Sequence, residues 1–248
     1  RLSPSFGVVF SPWGPLLHLR ASVKDACRVP TFADLYYLRL GNVGLKPEKA
    51  SQFNFGVVWN ESFGRVVPFV SLVVDGYYNK VEDKIVALPT MYVWRMMNFG
   101  KAEIAGVDAN AQVDVAISRK ISLSFDAGYS YQYAVDITDA SAKNYRHQLP
   151  YTPRHSGKFT LSLINPYVNV SYIFTAVGDR YMLPQNTLRN RIDGYTEHSF
   201  SLNRDFVFNS CSLRVQGELL NVGNEQYEVI RYYPMPRFSW RLSACFSF

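Results

Sequence analysis

Residues 238–248 read Phe-Ser-Trp-Arg-Leu-Ser-Ala-Cys-Phe-Ser-Phe, and this stretch decides the class of fold. Its even positions carry apolar side chains, whereas its odd positions carry small or polar ones, among them Arg241. Alternation with a period of two predicts a β-strand that has one apolar and one polar face. Such a strand suits a soluble sheet packed on a core. It equally suits an outer-membrane barrel whose apolar face meets lipid and whose polar face lines the lumen.

The pattern of the other strands and connections favours the barrel. About eleven segments alternate in the same way, and none has the period near 3.6 that is typical of a helix. Short turns at one end and long loops at the other are expected of an outer-membrane barrel, with the connection near 88–92 as the exception. The short connections lie near 11–15, 60–65, 118–120, 165–166 and 205–210, and the long ones near 28–48, 136–155, 178–195 and 221–236.

Charged residues recur on the polar faces of the predicted strands. They would be costly in a dry core but are ordinary in a wet lumen, so we expect them to line the lumen or to contact whatever fills it. The residues assigned to this lumen-facing set are Arg20, Asp108, Asp126, Arg214, Glu218 and Arg241.

Composition fits the same class of protein. The 248 residues include 17 Tyr and 17 Phe, more tyrosine than a soluble core needs and typical of aromatic girdles at membrane interfaces. No stretch approaches the roughly 20 apolar residues of a membrane helix. The net charge of +6 would let basic loops attract anionic lipopolysaccharide, although a partial chain need not be charge-balanced. The three cysteines have no metal-binding spacing, and neither a metal nor a cofactor is predicted.

Six elements, in order along nearly the whole chain, resemble those of the TonB-dependent outer-membrane receptors. The final run, 232–237, most resembles the cobalamin-receptor branch, while haem and siderophore receptors end similarly. The six elements are Arg28-Val29-Pro30-Thr31-Phe32-Ala33-Asp34-Leu35; Gly41-Asn42 with Leu45-Lys46-Pro47-Glu48 and Gly56; Asn98 with Ala105-Gly106-Val107-Asp108; Leu149-Pro150-Tyr151-Thr152-Pro153-Arg154-His155; Leu220-Asn221-Val222-Gly223-Asn224-Glu225-Gln226-Tyr227; and Pro234-Met235-Pro236-Arg237.

The resemblance implies an all-β, transmembrane antiparallel barrel in the bacterial outer membrane. Such receptors have about 22 strands and a plugged lumen. Residues 1–248 would form the C-terminal part, with the plug and the N-terminal strands absent from this chain. The resemblance also implies that the receptor binds cobalamin, haem or a ferric siderophore outside the cell and that TonB moves the plug to admit it. The terminal aromatic, Phe248, would belong to the barrel-assembly signal.

An open half of a barrel has two unpaired edges, which cannot persist in lipid. The remaining barrel strands and the plug are therefore expected as partners, from a second polypeptide or from further residues of this one. Counting strands back from Phe248 at the periplasmic face places Arg1 in an external loop. One hypothesis is a receptor cut or encoded in two pieces that stay associated. Lipopolysaccharide and a surface lipoprotein are further candidate partners, and no nucleic acid is expected.

Aromatic and arginine residues in the four long loops are the candidate ligand contacts, because loops on a rigid scaffold commonly carry binding residues. The alternative is that the tyrosines mark the membrane interface and the arginines bind lipid headgroups. His147 or His155 could also ligate haem iron. The candidates are Tyr36, Tyr37 and Arg39 in the first loop; Tyr145, Arg146 and His147 in the second; Arg180, Tyr181, Arg189 and Arg191 in the third; and Arg231, Tyr232 and Tyr233 in the last.

Other functions for a barrel stay open at this point. A passive porin or small complete barrel would lack a plug, an outer-membrane enzyme would need a catalytic cluster at its rim, and a scaffold would hold surface lipoproteins. Catalysis is not predicted, because Asp139 and His147 share a loop but no nucleophile stands out and no GxSxG motif occurs.

Overall fold

The computed structural model describes residues 3–89, 93–208 and 211–248. Within them, eleven strands form one antiparallel sheet in the order β1-β2-β3-β4-β5-β6-β7-β8-β11-β12-β15, and β9–β10 and β13–β14 form two small ribbons. The strands are β1 (Ser5–Phe10), β2 (Leu17–Arg28), β3 (Glu48–Phe63), β4 (Val67–Pro89), β5 (Trp94–Ser118), β6 (Ile121–Asp136), β7 (His155–Ile164), β8 (Asn169–Val177), β9 (Arg180–Tyr181), β10 (Arg191–Ile192), β11 (Tyr195–Val207), β12 (Ser212–Leu220), β13 (Glu228–Ile230), β14 (Tyr233–Pro234) and β15 (Ser239–Ser247).

The prediction of about eleven two-faced antiparallel strands is confirmed, as is the segregation of the connections. Residues 29–47, 137–154, 178–194 and 221–238 are long connections, and all lie at one end of the sheet. β4 and β5 extend beyond their neighbours at this end. Residues Lys84 to Pro89 of β4 pair with Trp94 to Phe99 of β5 and with no other described strand. The expected strand start at Met91, the external position of Arg1, and part of each of the connections near 88–92 and 205–210 lie outside the described residues.

Alternation does not predict the small elements inside the long connections. A short helix, α1 (Phe32–Tyr36), lies in the first long connection, and a 3-10 turn (Leu188–Asn190) lies in the third. Both are shorter than two helical turns, so neither can produce a readable period in the sequence. No described helix is long and apolar enough to cross a membrane.

The two faces of the sheet differ in polarity. One face carries exposed apolar side chains, including Phe55, Trp240 and Phe246. The only packed apolar cluster found among the described residues lies at the long-loop end, where Leu149 of the second long connection folds onto β4, β5 and β6. A broad apolar face without a protein layer over it is typical of a barrel wall that meets lipid.

Candidate functional site

The polar face contains an ion pair that crosses a strand. Arg20, Gly56 and Asp75 are direct neighbours on β2, β3 and β4. The Arg20 guanidinium reaches over Gly56 and donates to Asp75 Oδ1 from Nε at 3.1 Å and from Nη2 at 2.7 Å. A β-carbon at position 56 would overlap both side chains. Glycine therefore lets the pair lie flat against the sheet and connect strands that are not adjacent.

A second glycine from the six sequence elements, Gly106, has the same effect two strands further along, on β5. Tyr77 on β4 faces Gly106 on β5, and the phenol end of its ring fills the space that a β-carbon at position 106 would need. Gln132 on β6 donates from Nε2 to the Tyr77 oxygen at 3.3 Å. Long side chains thus lie along this wall, so their polar ends bond to neighbouring strands rather than projecting from the sheet.

The predicted acidic residues lie on this same face. Asp108 accepts a hydrogen bond of 2.5 Å from the Ser130 hydroxyl. Asp126 is aligned with Gln112 and Thr160 on the flanking strands and lines a cleft of about 440 Å³. The face is therefore polar across β4 to β7, as the alternation predicts.

The predicted charges near the C-terminal edge form cross-strand pairs. Arg241 Nε lies 2.5 Å from Glu218 Oε2, and Arg214 Nε lies 2.6 Å from Asp205 Oδ1. The sequence points to Arg214 but not to its partner Asp205, because register across the turn is needed to align them. These charges neutralise one another along the wall.

The first long connection is fixed at its start by Asp34. Asp34 Oδ2 accepts from the Thr31 amide at 2.9 Å, and the Thr31 hydroxyl caps the first turn of α1 in return. Arg28 Nη2 lies 2.9 Å from the same carboxylate oxygen, and Arg28 Nη1 lies 3.6 Å from Glu48 Oε2. The hydrogen bond from the Thr31 backbone, followed by the Thr31 hydroxyl and Arg28, lowers the pKa of Asp34 although its burial opposes the shift.

Asparagines fasten the rest of this connection to β5. Asn98 Nδ2 donates to Asp83 O at 2.7 Å and to Lys46 O at 3.0 Å, while its Oδ1 accepts from Lys46 N at 2.7 Å. Asn42 Nδ2 donates to Met96 O at 3.0 Å. The residues that match the receptor elements therefore have a structural role here, which leaves the chain between them to present other side chains.

We expect the first long connection to loosen in acid through Asp34. Because the pKa of Asp34 is lowered on folding, the stabilisation it provides is present above the unfolded-state pKa near 4 and is lost as the pH falls through the lower folded-state value. The protection of residues 29–47 from hydrogen exchange, measured against the intrinsic exchange rate at each pH, should therefore fall below about pH 4. Asp34→Asn should already exchange faster at neutral pH and respond less to acid. Asp193→Asn, at an exposed carboxylate, is the control, and an acid response retained in Asp34→Asn would contradict the assignment.

The second and third long connections bind each other. Gln148 N donates to Asn186 Oδ1 at 2.5 Å, and Asn186 Nδ2 donates back to Gln148 O at 3.0 Å. His147 Nδ1 lies 3.2 Å from Pro184 O. The buried Asp136, the last residue of β6, accepts from Asn144 Nδ2 of the second connection at 2.6 Å. Two loops that are far apart in sequence thus form one unit.

Arg180 joins the third connection to the fourth. Its side chain is buried, with the residue only 3 % exposed, and Nη2 donates to Glu228 O at 2.5 Å and to Val229 O at 3.1 Å. The guanidinium also stands 5.7 Å from the centroid of the Tyr195 ring. Burial lowers the pKa of Arg180, but an arginine stays protonated in proteins.

The fourth connection is held by Asn221 and Tyr227, both from one sequence element. Asn221 has a positive φ of 50° and donates from Nδ2 to Glu225 O at 2.8 Å. The Tyr227 ring stacks on Tyr195 at 3.8 Å, and its hydroxyl donates to Glu197 Oε2 at 2.5 Å. Burial, followed by the hydrogen bond and charge of Glu197, raises the pKa of Tyr227. This connection is therefore attached to β11 as well as to Arg180.

The structure separates the predicted ligand contacts into accessible and engaged groups. Several arginines have acidic partners: Arg146 with Glu103, Arg191 with Asp179 and Asp193, and Arg231 with Glu228. The His147 ring is within hydrogen-bonding distance of the Pro184 carbonyl oxygen in the third connection. His155 is hydrogen-bonded to Tyr129 on the apolar side of the sheet. Exposed candidates are Tyr36, Tyr37, Arg39, Tyr145, Arg189, Tyr232 and Tyr233, whereas Tyr181 is half-buried.

Two further exposed residues in the first connection were not predicted. Phe32 and Leu38 are each 84 % exposed and flank Tyr36 and Tyr37 in the chain. The Phe32 and Tyr36 rings lie 5.5 Å apart. The sequence does indicate these two residues, because they belong to an apolar run inside a predicted loop. The described residues contain no group of three or more His, Cys, Asp or Glu side chains placed to hold a metal ion.

Comparison with known proteins identifies the family. The family model described as "TonB dependent receptor-like, beta-barrel" matches residues 1–222. The vitamin B12 transporter BtuB of Photobacterium profundum is 25 % identical over 239 residues, which is 94 % of this chain and 36 % of that protein. The corresponding transporter of Vibrio vulnificus is 32 % identical over 99 residues, 39 % of this chain and 15 % of that protein.

Solved structures agree on the fold. The copper transporter OprC has a TM-score of 0.74 at 18 % identity, covering 99 % of this chain and 39 % of its own. The ferric citrate transporter FecA has a TM-score of 0.72 at 13 % identity, covering 98 % of this chain and 38 % of its own. The chain thus spans well under half the length of these relatives. It belongs to the TonB-dependent receptor β-barrel family, and its sheet is part of an outer-membrane barrel.

Proposed function

We propose that the complete protein containing this chain is a receptor for TonB-energised uptake of a scarce nutrient across the outer membrane. The observation that carries the proposal is the contrast between the two ends of the sheet. The connections at one end are short, whereas the second, third and fourth long connections are joined to one another by Gln148, Asn186 and Arg180. Loops held together above a rigid wall provide a pre-organised surface for a large ligand.

The wall below these loops supports a role for a moving partner inside the barrel. Arg20 with Asp75 and Arg241 with Glu218 pair along the sheet, so their charges do not bind tightly to whatever fills the lumen. We infer that the remaining strands complete the barrel, that a plug occupies its lumen, and that TonB acts through the plug. The known relatives are receptors and transporters, and we propose no catalytic activity.

The nutrient that we propose is cobalamin, with a ferric siderophore or haem as the alternative. Vitamin B12 transporters are among the relatives that match in sequence, and the run 232–237 resembles the same branch. We propose that the contacts are the exposed aromatic residues of the first and last connections. These are Tyr36, Tyr37, Tyr232 and Tyr233, with Phe32 as an addition. Exposed rings on fixed loops suit a ligand with flat, partly apolar surfaces.

Ligand binding to the complete receptor tests this proposal. Purified receptor in detergent should bind cobalamin more tightly than haemin or a ferric siderophore, as measured by calorimetry. Alanine at both Tyr232 and Tyr233 should weaken binding by about tenfold or more, because truncating a central aromatic contact commonly costs over 1 kcal/mol. Tyr167→Ala is the matched control, since Tyr167 is 75 % exposed at the short-turn end. Equal affinity in all three proteins would refute the assigned contacts.

A further inference from the structure

The fourth long connection contains a hairpin whose tip presents Tyr232. In the ribbon of β13 and β14, Ile230 is paired with Tyr233, so Arg231 and Tyr232 form the turn between the two strands. Tyr232 has a positive φ of 69° and is 75 % exposed. Glycine or asparagine is the usual residue at such a position, because a larger side chain is strained there. A strained residue with an exposed ring at a loop tip is typical of a ligand contact.

Glu228 holds this turn through its carboxylate. Glu228 Oε2 accepts a hydrogen bond from the Tyr232 amide at 3.1 Å, which favours the left-handed conformation of Tyr232. The main chain of Glu228 is anchored as well, because the buried Arg180 donates to the Glu228 carbonyl oxygen. Arg180 therefore fixes the base of the hairpin, and the Glu228 carboxylate fixes its tip.

The same carboxylate oxygen balances the charge of Arg231. Arg231 Nη1 lies 3.7 Å from Glu228 Oε2, and the guanidinium carbon lies 5.4 Å from the centroid of the Tyr232 ring. Arg231 thus covers one face of the ring, and because most of Tyr232 is exposed, the other face is open. Arg231 is the only basic residue in 222–236. The tip therefore presents an aromatic face beside a guanidinium whose charge is already balanced.

We propose that Glu228 is a specificity-determining residue, which selects a flat ligand without net charge over a flat ligand that carries carboxylates. Glu228 has this role only if Tyr232 contacts the nutrient, as in the proposed function on which this inference rests. Its side chain acts in two ways. It positions the Tyr232 ring through the amide of that residue, and it neutralises Arg231, which would otherwise attract an anionic ligand. The Glu228 carboxylate also repels a ligand carboxylate that approaches Arg231.

Two macrocyclic ligands that differ in charge test this role. Cyanocobalamin carries no net charge, whereas haemin carries carboxylates, and both would be titrated by calorimetry into the complete receptor in detergent. In Glu228→Ala the affinity for cyanocobalamin should fall by about tenfold, because the Tyr232 ring is no longer held in place. The ratio of haemin affinity to cyanocobalamin affinity should rise by about fivefold, because Arg231 has lost its counter-charge. In Glu228→Ala/Tyr232→Ala the affinity for cyanocobalamin should be no lower than in Tyr232→Ala alone, since Glu228 acts through Tyr232.

Glu228→Gln separates the two actions of the side chain. The glutamine oxygen can still accept from the Tyr232 amide, so this variant should recover most of the cyanocobalamin affinity that Glu228→Ala loses. Its affinity ratio should stay raised by about fivefold, because Arg231 remains without a counter-charge. Glu225→Gln is the matched control, since Glu225 is an exposed acidic residue of the same connection, and both affinities should be unchanged. The unfolding temperature of the barrel in a gel-shift assay shows whether each variant is folded.

The possible outcomes separate this inference from the proposed function. If wild type binds cyanocobalamin and Tyr232→Ala weakens that binding, equal affinities in wild type and Glu228→Ala would overturn the role of Glu228 alone. A fall in both affinities with an unchanged ratio would also overturn it, since Glu228 would then support the loop without selecting the ligand. Failure of the folded wild-type receptor to bind cyanocobalamin would overturn the proposed function, and the role of Glu228 with it.

Discussion

Replacing Arg180 with methionine is expected to release the third and fourth long connections from each other. The guanidinium is buried and is the hydrogen-bond donor to the carbonyl oxygens of Glu228 and Val229. Methionine fills a similar volume but leaves these oxygens without that donor. Loss of a hydrogen bond from a charged donor typically costs about 1.5–3 kcal/mol, so the contact between the two loops should weaken by roughly tenfold to a hundredfold.

Limited proteolysis measures this loosening directly. Cleavage within residues 221–238 should become much faster in Arg180→Met, and the affinity for the nutrient should fall because the binding surface is no longer pre-organised. Arg189→Met is the control for proteolysis only, since Arg189 lies in the same connection but is exposed. Arg180→Lys should recover part of the protection, because an ammonium can donate to one of the carbonyls. Unchanged cleavage in Arg180→Met would show that other contacts hold these loops.

Replacing Gly56 with valine is the second change with a large expected effect. A side chain there would overlap the Asp75 carboxylate and the Arg20 guanidinium, which cross over Gly56. Overpacking of this kind typically costs about 1–3 kcal/mol, to which the loss of the ion pair adds. We expect less folded receptor in the outer membrane and a lower temperature at which the purified barrel unfolds in a gel-shift assay.

The glycine effect can be separated from a general intolerance of larger residues. Gly217→Val is the matched control, because nothing lies within 4 Å of a β-carbon at that position in β12. Gly56→Val combined with Arg20→Ala and Asp75→Ala should be less harmful than the separate effects predict, since the overlapping side chains are then gone. Equal damage from Gly56→Val and Gly217→Val would contradict the role of Gly56.

The sheet could be predicted from the sequence because each strand carries its own signal. The alternation in β5, β6 and β15 needs only neighbouring residues to be read, and the turn positions follow from where it stops. The lumen-facing charges follow from the same parity. Their pairing does not, because Arg20 and Asp75 are 55 residues apart and meet only through the register of three strands.

The loops could be predicted much less well, for a physical reason. Arg180 and Tyr232 are both loop residues of types that bind ligands, yet Arg180 is buried on backbone carbonyls and Tyr232 is exposed. What separates them is contact between connections about 50 residues apart, which no local pattern encodes. The sequence elements that resemble those of the receptor family indicate loop structure and not ligand contacts. Asp34 and Asn98, which belong to these elements, fix the geometry of the first long connection.

Uptake of labelled cobalamin by cells tests the central claim most directly. A strain that lacks its own cobalamin receptor would express the complete receptor containing this chain, in backgrounds with and without TonB. The account predicts accumulation of cobalamin that requires both the receptor and TonB, with surface binding retained when TonB is absent. Accumulation at the same rate without TonB, or no binding of cobalamin at all while the receptor is folded in the outer membrane, would contradict it.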